Sequence, residues 1–108
     1  MIKFIALWNI KPGVSEAEFE GWYQKHMGDA QKIPGLVRYT VSRLLPGPQG
    51  KAPYYRMAEL CFANEASYPK AFASKEWQDS FVDAQSYIAD HVRYRADSVD
   101  VVHEGVQR

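Results

Sequence analysis

Between Ile2 and Ile10 the chain is apolar and rich in β-branched residues, and it breaks at "KPG", so the pattern predicts a first strand ending in a turn. Ser15 then offers an N-cap, Glu18 stands three residues on to complete a capping box, and Val14 can pack on Phe19 as a hydrophobic staple. A helix starts there. Along it Phe19, Trp22, Tyr23, His26, Met27 and Ala30 recur at spacings of three and four, while Glu16, Glu20, Gln24, Lys25 and Gln31 fall between them. His26 therefore sits inside an apolar stripe. Ile33 precedes Pro34 and is pushed toward extended geometry, which ends the helix by Lys32, and Gly35 permits the turn that follows.

"LVRYTVSRLL" reads as a second strand and "YYRMAELCFA" as a third, joined through "PGPQGKAP" as an antiparallel hairpin. Asn64 can cap a short helix holding Tyr68 and Phe72, and Ser74 a second segment holding Trp77, Phe81, Ala84 and Ile88. The last strand is expected at "SVDVVHEGV". Strand, helix, strand, strand, helix, strand is the βαββαβ order of a ferredoxin-like α+β sandwich, with helices on one face of an antiparallel sheet. On the second strand Val37, Tyr39, Val41 and Leu45 are expected on one face and Leu36 and Leu44 on the other. On the third, Tyr55, Met57 and Cys61 are expected to oppose Leu60 and Phe62. Both faces thus carry apolar groups, and a sheet covered on one side only would leave the second exposed; a homodimer through the open sheet face is the expected remedy.

A length of 108 residues at 46% apolar composition suits one domain, 1–108, with one core. Thirteen basic residues balance thirteen acidic ones without a run of either sign, which argues against nucleic acid as a partner. The first apolar segment is too short to span a membrane, no small-residue cleavage site follows it, and Cys61 is the one cysteine, so a cytoplasmic protein without a disulfide is expected. An aromatic share of 14% exceeds what so small a chain easily covers with itself. Some rings should line a pocket or an interface.

His26 is the leading candidate for a general acid or base, because imidazole titrates near neutrality; the competing account is a satisfied core histidine. Tyr39 could orient His26 or polarise a substrate carbonyl, or simply pack its ring. Glu59, mid-strand, could be a second proton carrier if buried, or could pair with Arg38, Arg43 or Arg56. Asp83 could face the cleft or be a solvated helical carboxylate. Trp8, Trp22, Tyr23, Trp77 and Phe81 are candidate walls of a binding pocket, with Arg43 as a candidate substrate contact, against the plainer account that rings at these spacings are core. His26, His91 and His103 lack metal-ligand spacing, Cys61 has no visible activating base, and no glycine-rich phosphate loop follows a strand. Neither a metal site nor a nucleotide-cofactor site is expected from these residues.

The aromatic first helix ending in histidine, then "IPGLVRY", then "AELCF", resembles the EthD-like family of dimeric α/β barrels over nearly the whole chain. Phe19, Trp22, His26, Pro34, Gly35, Leu36 and Tyr39 match its helix-to-strand pattern, Glu59 and Phe62 its third strand, and Ser74 and Asp83 its later helix. The resemblance implies a ferredoxin-like protomer that pairs sheet to sheet, and a role in processing ethers, aromatic compounds or polyketide-like intermediates. The methylmuconolactone isomerases, a similar branch, imply a cofactor-free reaction using His26 and Tyr39. "MGDA" after His26 departs from the proline and leucine common there. The implied function is a cofactor-independent isomerase, dehydratase or decarboxylase acting on a small hydrophobic lactone or aromatic compound. Two alternatives stand beside it: a non-catalytic dimer binding a small hydrophobic molecule, and a cofactorless monooxygenase or haem-associated barrel protein with His26 or His91 as ligand.

Overall fold

A computed structural model of the chain describes residues 1–101 and gives seven elements in that span: β1 (Ile2–Ile10), α1 (Glu16–Ala30), β2 (Leu36–Arg43), β3 (Arg56–Phe62), α2 (Ser67–Ala73), α3 (Lys75–Ala84) and β4 (Ile88–Asp97). The strands form one sheet in the order β2-β3-β1-β4, with every neighbouring pair antiparallel. This is the ferredoxin-like arrangement. Alternation decides which side chains meet the helices: Ile2, Phe4, Ala6 and Trp8 of β1 and Ala58, Leu60 and Phe62 of β3 are buried on one face. The helices supply the other half of that core with Phe19, Tyr23, Ala30, Ala71, Trp77 and Ala84.

Local chemistry places the helices. The Ser15 hydroxyl accepts from the Glu18 amide at 3.1 Å while the Glu18 carboxylate accepts from the Ser15 amide, so the capping box is closed. Ser74 caps α3 by accepting from the Trp77 amide at 3.2 Å. Phe19 and Phe62 have no exposed surface, and each contributes about 1.5–3 kcal/mol by leaving water.

Four expectations need correction. The last strand lies at Ile88–Asp97, ten residues before "SVDVVHEGV", whose residues 102–106 fall outside the described span. Ile88 opens β4 instead of continuing α3, which closes at Gln85. Alternation in β4 is broken by an extra residue where Asp90 adopts φ 55°, held by a bond from Asn9 Nδ2 to Asp90 Oδ2 at 3.1 Å. That bulge conceals the two-residue period, and Arg93 and Arg95 occupy helix-side positions where apolar residues would have announced a strand.

Leu36 shares the helix-side core with Tyr39, because Val37 is an extra residue in β2 between Leu36, opposite Phe62, and Arg38, opposite Cys61. Tyr55 also packs toward the helices; it precedes β3 and meets the Phe19 ring edge-on at 5.5 Å. Met57 and Cys61 do lie on the opposite sheet face. Register puts Ile5, Leu7, Met57, Val92 and Tyr94 there together, and Tyr94 is largely exposed. No helix among the described residues is long and apolar enough to cross a membrane.

Candidate active site

Between the helix-side sheet face and α1 and α3 lies a cavity of about 90 Å³, whose walls include Trp8, Trp22, Tyr23, His26, Tyr39, Trp77, Phe81, His91 and Arg93. A cavity of that size holds several waters or a one-ring molecule. Its position follows from the elements. The stripe of α1 turns Tyr23 and His26 toward the sheet, β2 delivers Tyr39 opposite Leu60, and β1 contributes Trp8.

Trp22 organises one wall. Its ring stacks on Tyr87 at 4.4 Å and 8° and lies 4.6 Å from the His26 ring, while its Nε1 donates to Asp83 Oδ2 at 2.8 Å. The same carboxylate oxygen stands 3.8 Å from His26 Nδ1, within ion-pair range but beyond a hydrogen bond. Burial pulls the His26 pKa below its ordinary 6.5, and Asp83, with Asp29, only opposes that pull. His91 is likewise lowered, by burial and then by the Arg93 charge. Both imidazoles are therefore neutral at pH 7, the form that can accept a proton.

Tyr23 and Tyr39 bring two hydroxyls to the cavity. Burial raises the pKa of each; for Tyr23 the neighbouring Tyr39 adds to the rise, and for Tyr39 the Tyr23 hydroxyl and the Arg56 charge oppose it. Both stay protonated and can donate. The hydroxyls are near enough to influence one another, yet Tyr23 Oη makes no hydrogen bond of ordinary geometry. Trp8 Nε1 and His26 Nδ1 are buried without a hydrogen-bond partner among the described residues as well. Each of these three atoms belongs to a side chain that lines the cavity, and each departs from the rule that buried polar atoms are nearly always paired.

Of the expected site residues, His26, Tyr39, Trp8, Trp22, Tyr23 and Phe81 line this cavity. Asp83 stands behind His26 and lines an outer cleft with Lys25, Asp29 and Asp79. Glu59 is remote: it lies on the opposite sheet face, where Lys3 rather than an arginine pairs with it at 3.3 Å. Arg43 is exposed at the end of β2 and does not reach the cavity walls. The alternation of β3 separates Glu59 from the site, because it is out of phase with Ala58 and Leu60.

Arg93 and Ser80, not among the expected residues, and His91 and Arg56, expected only as a haem ligand and a partner for Glu59, carry polar chemistry at or beside the cavity. Arg56 is buried with its guanidinium 4.6 Å from the Tyr23 ring centroid and paired to Glu20, whose carboxylate also accepts from the Tyr55 hydroxyl. A charged residue in phase with Ala58, Leu60 and Phe62 was the available signal for it. His103 lies outside the described residues, and among those described no group of three or more His, Cys, Asp or Glu side chains could hold a metal ion.

Sheet order and a cavity enclosed between one sheet face and the helices define a ferredoxin-like α+β protein with an interlayer site. The EthD domain model matches residues 11–94, and the chain belongs to the EthD family. Among solved structures it is similar to an EthD family protein from Bacillus halodurans, at 27% identity and TM-score 0.79, covering 92% of this chain and 99% of that one. A dimeric ferredoxin-like protein of unknown function from Thermobifida fusca superposes at TM-score 0.72 with 17% identity over 88% of each chain. SnoaB, a cofactor-independent oxygenase from Streptomyces nogalater, superposes at TM-score 0.66 with 14% identity, covering 95% of this chain and 97% of SnoaB. Among curated proteins no match is found.

Proposed function

We propose that the chain is a cofactor-independent enzyme that moves a proton on a small hydrophobic ring compound bearing a carbonyl, with His26 as base. The observation that carries this reading is one aromatic-walled cavity lined together by a neutral imidazole, His26, and two protonated phenols, Tyr23 and Tyr39. Neutral His26 takes a proton from carbon next to the carbonyl, and the electron pair moves onto the carbonyl oxygen as an enolate. Tyr39 or Tyr23 donates a hydrogen bond to that oxygen as its charge grows. Return of the proton at another carbon gives an isomer; loss of a leaving group instead gives dehydration. Cofactor-free catalysis accords with SnoaB, a cofactor-independent oxygenase that shares the fold.

The protein works as a homodimer in the same proposal, in a cytoplasmic setting that keeps Cys61 reduced. Ile5, Leu7, Met57, Val92 and Tyr94 form an apolar area on the open sheet face, and fold relatives include dimeric proteins.

Hydrogen–deuterium exchange followed by NMR over a panel of ring lactones and hydroxyaryl ketones tests the chemistry. The wild type should accelerate exchange next to the carbonyl of at least one member. His26→Gln should lose that rate by about 10²- to 10⁴-fold while keeping the compound bound. Binding without accelerated exchange throughout the panel would instead define a binding protein.

A further inference from the structure

The polar groups facing the cavity are unbalanced in a way that names the ligand's charge. Of the lining side chains, the Arg93 guanidinium can only donate hydrogen bonds, and the Tyr23 and Tyr39 hydroxyls, held protonated, are available as donors too. Among the described residues no carboxylate lines the space. A site with several donors, one full positive charge and no negative charge is complementary to an anion rich in acceptors.

The positive charge is Arg93. Three arginines stand on the helix-side face of the sheet interior or its β4 edge, and two of them are neutralised: Arg56 by Glu20 and Arg95 by Glu65. Arg93 has no carboxylate partner among the described residues, and its guanidinium rests 4.6 Å from the Phe81 ring centroid. A guanidinium stacked on a ring keeps its in-plane N–H groups free, which is the geometry for a bidentate carboxylate. His91 is two residues earlier on β4, and both residues line the cavity. Arg93 is exposed at the rim, so an incoming anion can reach it from solvent, while Trp8 and Tyr23 are almost wholly buried at the inner end.

We propose that Arg93 and His91 form a carboxylate clamp at the β4 rim of the cavity, and that the ligand is a one-ring carboxylate whose ring lies among Trp8, Trp22 and Phe81. The proposal deepens the reading of the site as enzymatic, but the clamp is a matter of binding and is separable from turnover. Arg93 and His91 position the ligand; the proton transfer stays with His26.

Benzoate and its neutral isostere benzamide are the probes, titrated into the full-length protein by calorimetry with tryptophan fluorescence as a second readout. Benzoate should bind more tightly than benzamide and weaken as salt is raised. Arg93→Met should lower benzoate affinity about ten- to a hundredfold and leave benzamide within about twofold. In His26→Gln, loss of exchange activity with the ratio of benzoate to benzamide affinity retained would separate the two readings. Equal affinity for the two probes, no benzoate binding at millimolar concentration, or a benzoate preference that survives in Arg93→Met would overturn the proposal. Arg93→Lys guards against a folding defect, because it should restore part of the benzoate preference through charge alone.

Discussion

The sharpest energetic prediction concerns the ion pair beneath the cavity. Arg56 is 10% exposed through its side chain and Glu20 35%, and the Glu20 carboxylate also accepts from Tyr55. The two charges are therefore unequal in their need of one another. Glu20→Gln keeps shape but leaves a buried guanidinium without a counter-charge. Breaking a fully buried pair costs about 3–5 kcal/mol, and with Glu20 partly solvated the loss should be about 2 kcal/mol. For a chain of this size that corresponds to a fall in Tm of about 8–16 °C. Arg56→Met removes the more buried charge, keeps apolar contact with Phe19 and Tyr23, and leaves Glu20 reachable by water, so it should cost about 1 kcal/mol or less. The double variant should then be more stable than Glu20→Gln alone, because no unpaired charge remains. Thermal unfolding by circular dichroism at constant pH measures all three. A Tm within about 3 °C of wild type for Glu20→Gln, or a double variant no better than the single one, would refute the reasoning.

Three further outcomes follow from the same geometry. The exchange rate should fall on acidification with a midpoint below 6.5, because burial lowers the His26 pKa; Asp83→Asn should move that midpoint lower still, since Asp83 opposes the shift, and a midpoint at or above 6.5 would contradict the assignment. His26 and His91 both titrate lower in the folded chain than in the unfolded one, so their contribution to stability is complete above pH 6.5 and is lost as pH falls through the window beneath it. His26 accounts for at most about 1.4 kcal/mol per pH unit, which denaturant titrations of wild type and His26→Gln between pH 7 and pH 5 would resolve as a shallower slope in the variant. Light scattering at micromolar concentration should give a dimer for the wild type and a monomer for Met57→Glu, which sets a charge in the middle of the open sheet face; a wild-type monomer would sink the interface.

Where the sequence signal was strong, its physics was local. The Ser15 to Glu18 capping box, the three-and-four spacing of α1 and the Pro34-Gly35 stop depend only on near neighbours, and they locate His26 and Tyr39 on facing elements. Signals failed where a strand's period was interrupted. An extra residue at Val37 reversed the face of Leu36, and the bulge at Asp90 concealed β4 altogether, moving the expected last strand ten residues down the chain. Register is set by the partner strand, so a one-residue slip cannot be read from the slipping strand alone.

The arginines show the same failure in a form that bears on function. Arg56, Arg93 and Arg95 occupy the phase reserved for apolar residues, and pattern reading discounts a charge found there. Each nonetheless sits over an aromatic face: Arg56 by Tyr23, Arg93 by Phe81 and Arg95 by Tyr68. The high aromatic share is thus partly a means of carrying charge on the inner face of the sheet, beyond walling a cavity. Glu20 and Glu65 neutralise two of these cations and fix them as structure. The third has no carboxylate partner among the described residues and stands at the cavity rim beside a neutral histidine, and that difference in pairing is what supports the proposed clamp at Arg93 and a structural role for the other two.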